Sequence, residues 1–181
     1  MKLAEIVSAS AAIGRTRSRK AKTKLMASCL RGLRAEEVPI AVAYLSGGLP
    51  QGTVGVGWAS LRDRPPPASE PSLELLEVGA GFERIRSAAG TGSQVARRTE
   101  LAALFERATE PEQAFLAGLL MGELRQGALE GSVVEGVAAA AGVPAARVRR
   151  ALMLEGDLGT VAAAAIAEGE AGLDRFRLTV L

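Results

Sequence analysis

The sequence predicts an all-α protein, a compact multi-helix bundle, and three observations carry that prediction. Alanine, the strongest helix former, supplies 34 of the 181 residues. Apolar side chains recur at spacings of three and four in segment after segment, the period of a helix with one buried face. Glycines fall between those segments and not inside strand-like alternations. With 181 residues, 48% of them hydrophobic, the chain can build one domain around its own core, and residues 1–181 read as that single domain.

Taken in order, Leu3 to Ile13 reads as a first helix. A second runs from about Ser18 to Leu33, with Leu25, Met26, Cys29, Leu30 and Leu33 on its apolar side and Arg17, Lys20, Lys24 and Arg31 on the other. Glu36 to Ser46 is a short helix that tolerates Pro39 in its first turn and stops at Gly47-Gly48. Its run Val38 to Leu45 is apolar all round, which predicts burial. Leu49 to Leu61 is glycine-punctuated and irregular, with Trp58 expected to pin it to the core. Residues 62–71, with Pro65, Pro66 and Pro67 at their centre, read as an extended, flexible loop.

Helices resume near Leu73, where Val78, Phe82, Ile85 and Ala89 repeat at helical spacing. The tight loop Gly90-Thr91-Gly92-Ser93 leads into a helix from Gln94 to Ala108. Thr109-Glu110-Pro111-Glu112 is a capping box with proline in the first turn, opening a helix that presents Phe115, Leu116, Leu119, Leu120 and Leu124 and stops at Gly127. Ser132 to Glu135 is a second capping box, for a helix ending at Gly142; Pro144 opens another to Leu154; Thr160 caps an alanine-rich one to Ala167. The tail, Arg175 to Leu181, alternates like a strand.

Composition excludes whole classes of chemistry. Without histidine there is no His-based triad, His metal site or imidazole proton shuttle, and with Cys29 alone there is neither an internal disulfide nor a thiolate zinc site. Cys29 falls on an apolar face and reads as a core thiol. The carboxylates sit at caps and on polar faces, in no acid–base or metal-binding spacing. Met1 to Glu5 is no signal peptide, and no apolar run approaches the ~18 residues of a membrane span, so a cytoplasmic protein without a membrane partner is expected.

The net charge of +2 conceals an asymmetry. Residues 1–34 hold nine Lys or Arg against one acid, Glu5, whereas the remaining residues hold 13 basic and 19 acidic groups. A basic amino-terminal face on a mildly acidic body points to a polyanion. Gly92 and Ser93, with Arg97 and Arg98 behind them, combine a helix N-terminus with two cations, the local chemistry of a phosphate seat. It is no Walker A loop, which needs a lysine and an upstream strand. Aromatics number six, so stacking on exposed bases is not the mode; contact would be to a backbone. Two other classes fit parts of the chain. Val137 to Leu152 is similar to the helix-turn-helix of bacterial transcriptional repressors, in which Arg147, Arg149 and Arg150 would face bases or phosphates. A helical protein-interaction module would turn the basic face to an acidic protein.

Read together, these pieces resemble the N-terminal DNA-binding domain of ATP-dependent DNA ligases, of the type shared by archaea, eukaryotes and some actinobacteria. Thr16 to Lys22 resembles the family's early basic helix, Val38-Pro39-Ile40 through Tyr44-Leu45-Ser46-Gly47 its buried helix, and Pro50 to Gly57 its glycine-rich turn. The fullest match runs from Gly92-Ser93 and Arg97-Arg98 through Gly122-Glu123-Leu124-Arg125-Gln126-Gly127, Ser132-Val133-Val134 and Ala141-Gly142-Val143-Pro144 to Gly156-Asp157-Leu158-Gly159. The resemblance covers nearly the whole chain and recasts the helix-turn-helix likeness as a structural corner.

The resemblance implies an all-helical domain that grips nicked double-stranded DNA across the minor groove, independently of sequence, while adenylation and oligonucleotide-binding-fold domains of the same parent chain close the ring and seal the nick in repair and replication. It assigns phosphate contacts to Gly92, Ser93, Arg97 and Arg98 and to Arg125, Gln126 and Gly127, with Arg17, Lys20 and Lys24 as a third set. The chain departs from the whole enzyme in one decisive respect. Such ligases attach AMP to the lysine of a Lys-x-Asp-Gly motif, and here no lysine lies beyond Lys24. No cofactor is expected in this fragment; the parent ligase would use ATP and Mg2+. The tail, about residues 172–181, is expected to begin the linker to a missing adenylation domain, and the parent's place is the cytoplasm, at the bacterial nucleoid.

Overall fold

A computed structural model describes residues 1–57, 59–62, 64–124 and 130–177. Among these residues every regular element is helical: α1 (Leu3–Arg15), α2 (Arg19–Arg31), a 3-10 turn (Ala35–Glu37), α3 (Val38–Leu45), α4 (Ala59–Arg62), α5 (Leu75–Ser87), α6 (Ser93–Arg107), α7 (Glu110–Met121), α8 (Glu130–Ala141), α9 (Ala145–Glu155) and α10 (Leu158–Asp174). The all-α bundle that the sequence predicts is the fold observed.

The apolar helix α3 lies at its centre. Val38, Ala41, Val42, Tyr44 and Leu45 are buried, because α1, α2, α5 and α10 cover it on different sides. Tyr44 meets Phe82 of α5 and Phe115 of α7 edge-on, with ring centroids 6.4 and 6.2 Å apart. Two of these approaches need the absence of a side chain: a Cβ on Gly79 would lie 2.6 Å from Ile40 Cδ1, and one on Gly159 3.1 Å from Pro39 Cα. Ser18 caps α2, its hydroxyl accepting from the Ala21 amide at 3.3 Å. Thr109 caps α7, and its own amide donates to Glu112 at 2.8 Å, as the capping-box pattern requires.

One charge cluster lies inside this packing. Glu37 is 1% exposed and accepts from the Met1 ammonium, from the Arg34 guanidinium at 2.9 Å and from the Arg34 amide at 2.8 Å. Burial pushes its carboxyl up, but the hydrogen bonds from Arg34 and the ammonium outweigh that and hold it at about 2. The adjoining backbone closes the seam: Leu3 N–H donates to Leu73 O (2.9 Å) and Leu75 N–H to Met1 O (3.0 Å).

Several boundaries differ from expectation, each for a local reason. Helix α7 stops at Met121, not at Gly127, because Gly122 enters the left-handed region (φ 65°) and the Glu123 amide turns back to Gly118 O at 2.9 Å. Leu124 therefore leaves the helix and folds over Gly118. Ser132 is the third residue of α8, not its cap. Asp157, not Thr160, caps α10, its carboxylate accepting from Thr160 N–H at 2.7 Å. That helix runs beyond Ala167 to Asp174 across a kink at Gly169. Helix α5 ends at Ser87, so Ala89, expected on its buried face, is exposed.

Residues 64–71 are non-helical and are hydrogen-bonded to the body along their length. Pro65 O accepts from Gln113 Nε2 (3.1 Å), Ala68 N–H donates to Ala108 O (2.9 Å), and Pro71 O accepts from Lys2 Nζ (3.0 Å). Trp58, expected to pin the glycine-rich segment to the core, and most of the strand-like tail lie outside the described residues; residues 175–177 form no strand.

Candidate nucleic-acid interface

Of the three stretches that the sequence nominates, the amino end of α6 is described most fully. Gly92 (φ 85°) is its N-cap and has no side chain to close the first turn. Ser93 N–H donates to Gly90 O (3.2 Å), and the Val95 and Ala96 amides both donate to Gly92 O (3.0 Å each). Gly92 and Gln94 are exposed and Ser93 half-buried, so the positive end of a 15-residue helix opens on solvent through small residues.

Arg97 and Arg98, adjacent in sequence, have different fates. Arg97 is half-buried and caps the end of α5, its Nε donating to Ile85 O at 3.2 Å and its Nη2 to Ala88 O at 2.7 Å. A Cβ on Gly55 would lie 3.3 Å from Arg97 Nη1, so the guanidinium also packs under the glycine-rich turn. Arg98 is exposed and, among the described residues, neither hydrogen-bonded nor ion-paired. It shares an open groove of about 180 Å³ with Ser60 and Arg64, floored by Leu101 and Phe105. Arg64 beside Arg98 is a cation that sequence reasoning missed, since nothing local brings the proline-rich loop to α6.

The second stretch, Arg125, Gln126 and Gly127, lies outside the described residues. In the third, Lys20 and Lys24 are exposed on α2, and Arg17 is exposed in the link just before that helix. Arg31, expected on the same face, donates instead to Ala139 O of α8.

The helix-turn-helix likeness maps onto α8 and α9, where two of the three nominated arginines are already engaged. Arg147 pairs with Asp174 and, at 3.6 Å, with Glu170 of α10; Arg149 pairs with Glu135 of α8. Arg150 lines a pocket with Asp174, Phe176 and Arg177 at the end of α10. Cys29 is half-buried, and burial followed by the Glu5 carboxylate pushes its thiol up to about 11, which keeps it protonated and unreactive. No described helix is long and apolar enough to cross a membrane.

Residues 56–138 match the family described as DNA ligase N terminus. Across 99% of its length the chain is 51% identical to a probable DNA ligase of Beutenbergia cavernae, of which it covers 36%. It is 48% identical over 99% of its length to a probable DNA ligase of Streptomyces avermitilis, covering 35% of that protein. It is 50% identical over 99% of its length to one of Anaeromyxobacter, covering 36%. The chain thus spans about a third of the length of the curated relatives it matches.

Proposed function

Because the chain belongs to the DNA ligase N-terminal family, we infer that it is the DNA-holding domain of a DNA ligase and grips nicked duplex DNA by its phosphates, in the minor groove and without reading sequence. The observation that carries this is Arg98, a cation with no described partner beside the uncapped start of α6. A phosphate there meets the positive end of a helix dipole and a guanidinium together. Arg125, Gln126 and Gly127 supply a second contact and Arg17, Lys20 and Lys24 a third. Arg97 acts from behind, holding the end of α5 against the start of α6 and the glycine-rich turn.

Such contacts fix position and carry no base information. Base stacking has little to work with, since Tyr44, Phe82, Phe105 and Phe115 are core residues. The remaining two thirds of the parent chain would carry the adenylation and oligonucleotide-binding-fold domains, with ATP and Mg2+, and would perform the sealing. The lysine that accepts AMP must lie there, because none follows Lys24 here. The parent's compartment is the bacterial cytoplasm, where the nucleoid lies.

Titrating the chain against labelled nicked and intact duplexes of unrelated sequence, read by anisotropy over a salt series, tests this. The expected result is binding that ignores sequence and weakens with salt at a slope of about −0.9 per phosphate neutralised. One strongly preferred sequence, or no binding at low salt, would refute it.

A further inference from the structure

A second cluster of cations lies in the groove between α2, α8 and α9. Arg19, Lys20 and Thr23 line it from α2, Ser132 and Glu135 from α8, and Arg149 from α9, around an open volume of about 310 Å³. Beside the groove α2 and α8 pack closely. A Cβ on Gly136 would lie 2.7 Å from Met26 Cγ and Sδ, so a side chain there would have to displace Met26. The contacts run in step along both helices. The start of α2 lies opposite the start of α8, Met26 opposite Gly136, and Arg31 reaches Ala139 O. Both amino-terminal, half-positive helix ends therefore come to the same end of the groove as Arg19 and Lys20.

Three cations face one acid there. Glu135 takes Arg149 in an ion pair whose members are 44% and 52% exposed, a pairing of the kind that contributes little and exchanges readily. Thr23 Oγ1 is already spent on Arg19 O at 3.1 Å, whereas among the described residues Arg19 and Lys20 have no ion-pair partner. We propose that this groove is a further phosphodiester site of the DNA-holding surface, formed by Arg19, Lys20 and Arg149 with the Ser132 hydroxyl, and that Glu135 is its resident counter-ion. In the free protein the carboxylate keeps Arg149 from repelling the cations of α2; when a phosphate enters, Arg149 transfers to it. Glu135 thus sets how tightly the groove binds, and the inference rests on the DNA-holding reading above.

The test is the salt-series titration with nicked duplex on Glu135→Gln and Arg149→Gln, with Arg98→Ala alongside. Glu135→Gln removes the competing carboxylate and is expected to tighten binding about two- to fivefold, a gain that a damaged fold cannot imitate. Arg149→Gln is expected to weaken binding and flatten the salt slope by about 0.9, one phosphate. If Glu135→Gln binds no tighter and Arg149→Gln keeps the parent slope while Arg98→Ala still flattens it, the groove is no phosphate site and the DNA-holding reading stands. If the unaltered chain binds no duplex, both fall.

Discussion

The molecule handles charge in two ways, and the contrast between the Glu37 cluster and the start of α6 separates them. At Glu37 a buried carboxylate meets the Met1 ammonium and Arg34, and its charge is neutralised within the fold. At α6 a helix end has no side-chain cap and Arg98 has no described partner, so the charge is left to solvent. The corner formed by α8 and α9 lies between the two, with Arg147 and Arg149 open to solvent and nonetheless paired. The lesson is that a basic helix is not by itself a binding surface. What matters is whether the fold has already supplied the counter-charge.

The largest effect expected from breaking this contrast is at Glu37. Its carboxyl ionises near 2 in the folded chain against 4.5 ordinarily, so the ionised form supports folding fully above about pH 4.5 and loses that support as pH falls towards 2. Glu37→Gln should therefore cost about 3 kcal/mol at neutral pH and abolish most of the acid sensitivity in that window. Urea melts at pH 7 and pH 3 would check both. Arg97→Ala should cost about 2 kcal/mol, since two carbonyls at the end of α5 lose a charged donor. A melt unchanged within about 0.5 kcal/mol would show that this clamp is idle. Arg147→Ala is expected to cost no more than about 1 kcal/mol, because its pairs with Asp174 and Glu170 are exposed, and to leave DNA affinity as it was. A large loss of affinity there would return Arg147 to the binding surface.

Much of the fold was legible because helix signals are local. The span of the first helix from Leu3 to Ile13, the Thr109 capping box and the uninterrupted apolar run of α3 all lie within a few residues of the structure they specify. Helix ends were less legible where two stop signals compete. Gly122 ends α7 before Gly127 can, and Asp157 caps α10 ahead of Thr160, although both members of each pair are chemically suitable. The site was legible in part. The amino end of α6 could be recognised as anion-friendly from Gly92 and Ser93 alone, but nothing local distinguishes Arg97 from Arg98. Their difference depends on Ile85 O and Ala88 O at the end of another helix. The same holds for Arg149, whose partner Glu135 lies across a turn, and for Arg64, brought beside Arg98 by the course of the loop.

The most direct test of the division between open and closed charges is the salt dependence of nicked-duplex binding for Arg98→Ala and Arg147→Ala, measured side by side with the parent chain. The account predicts that Arg98→Ala flattens the slope by about 0.9 and weakens binding to every sequence alike, while Arg147→Ala leaves the slope at the parent value. An unchanged slope for Arg98→Ala, or a flattening confined to Arg147→Ala, would contradict it.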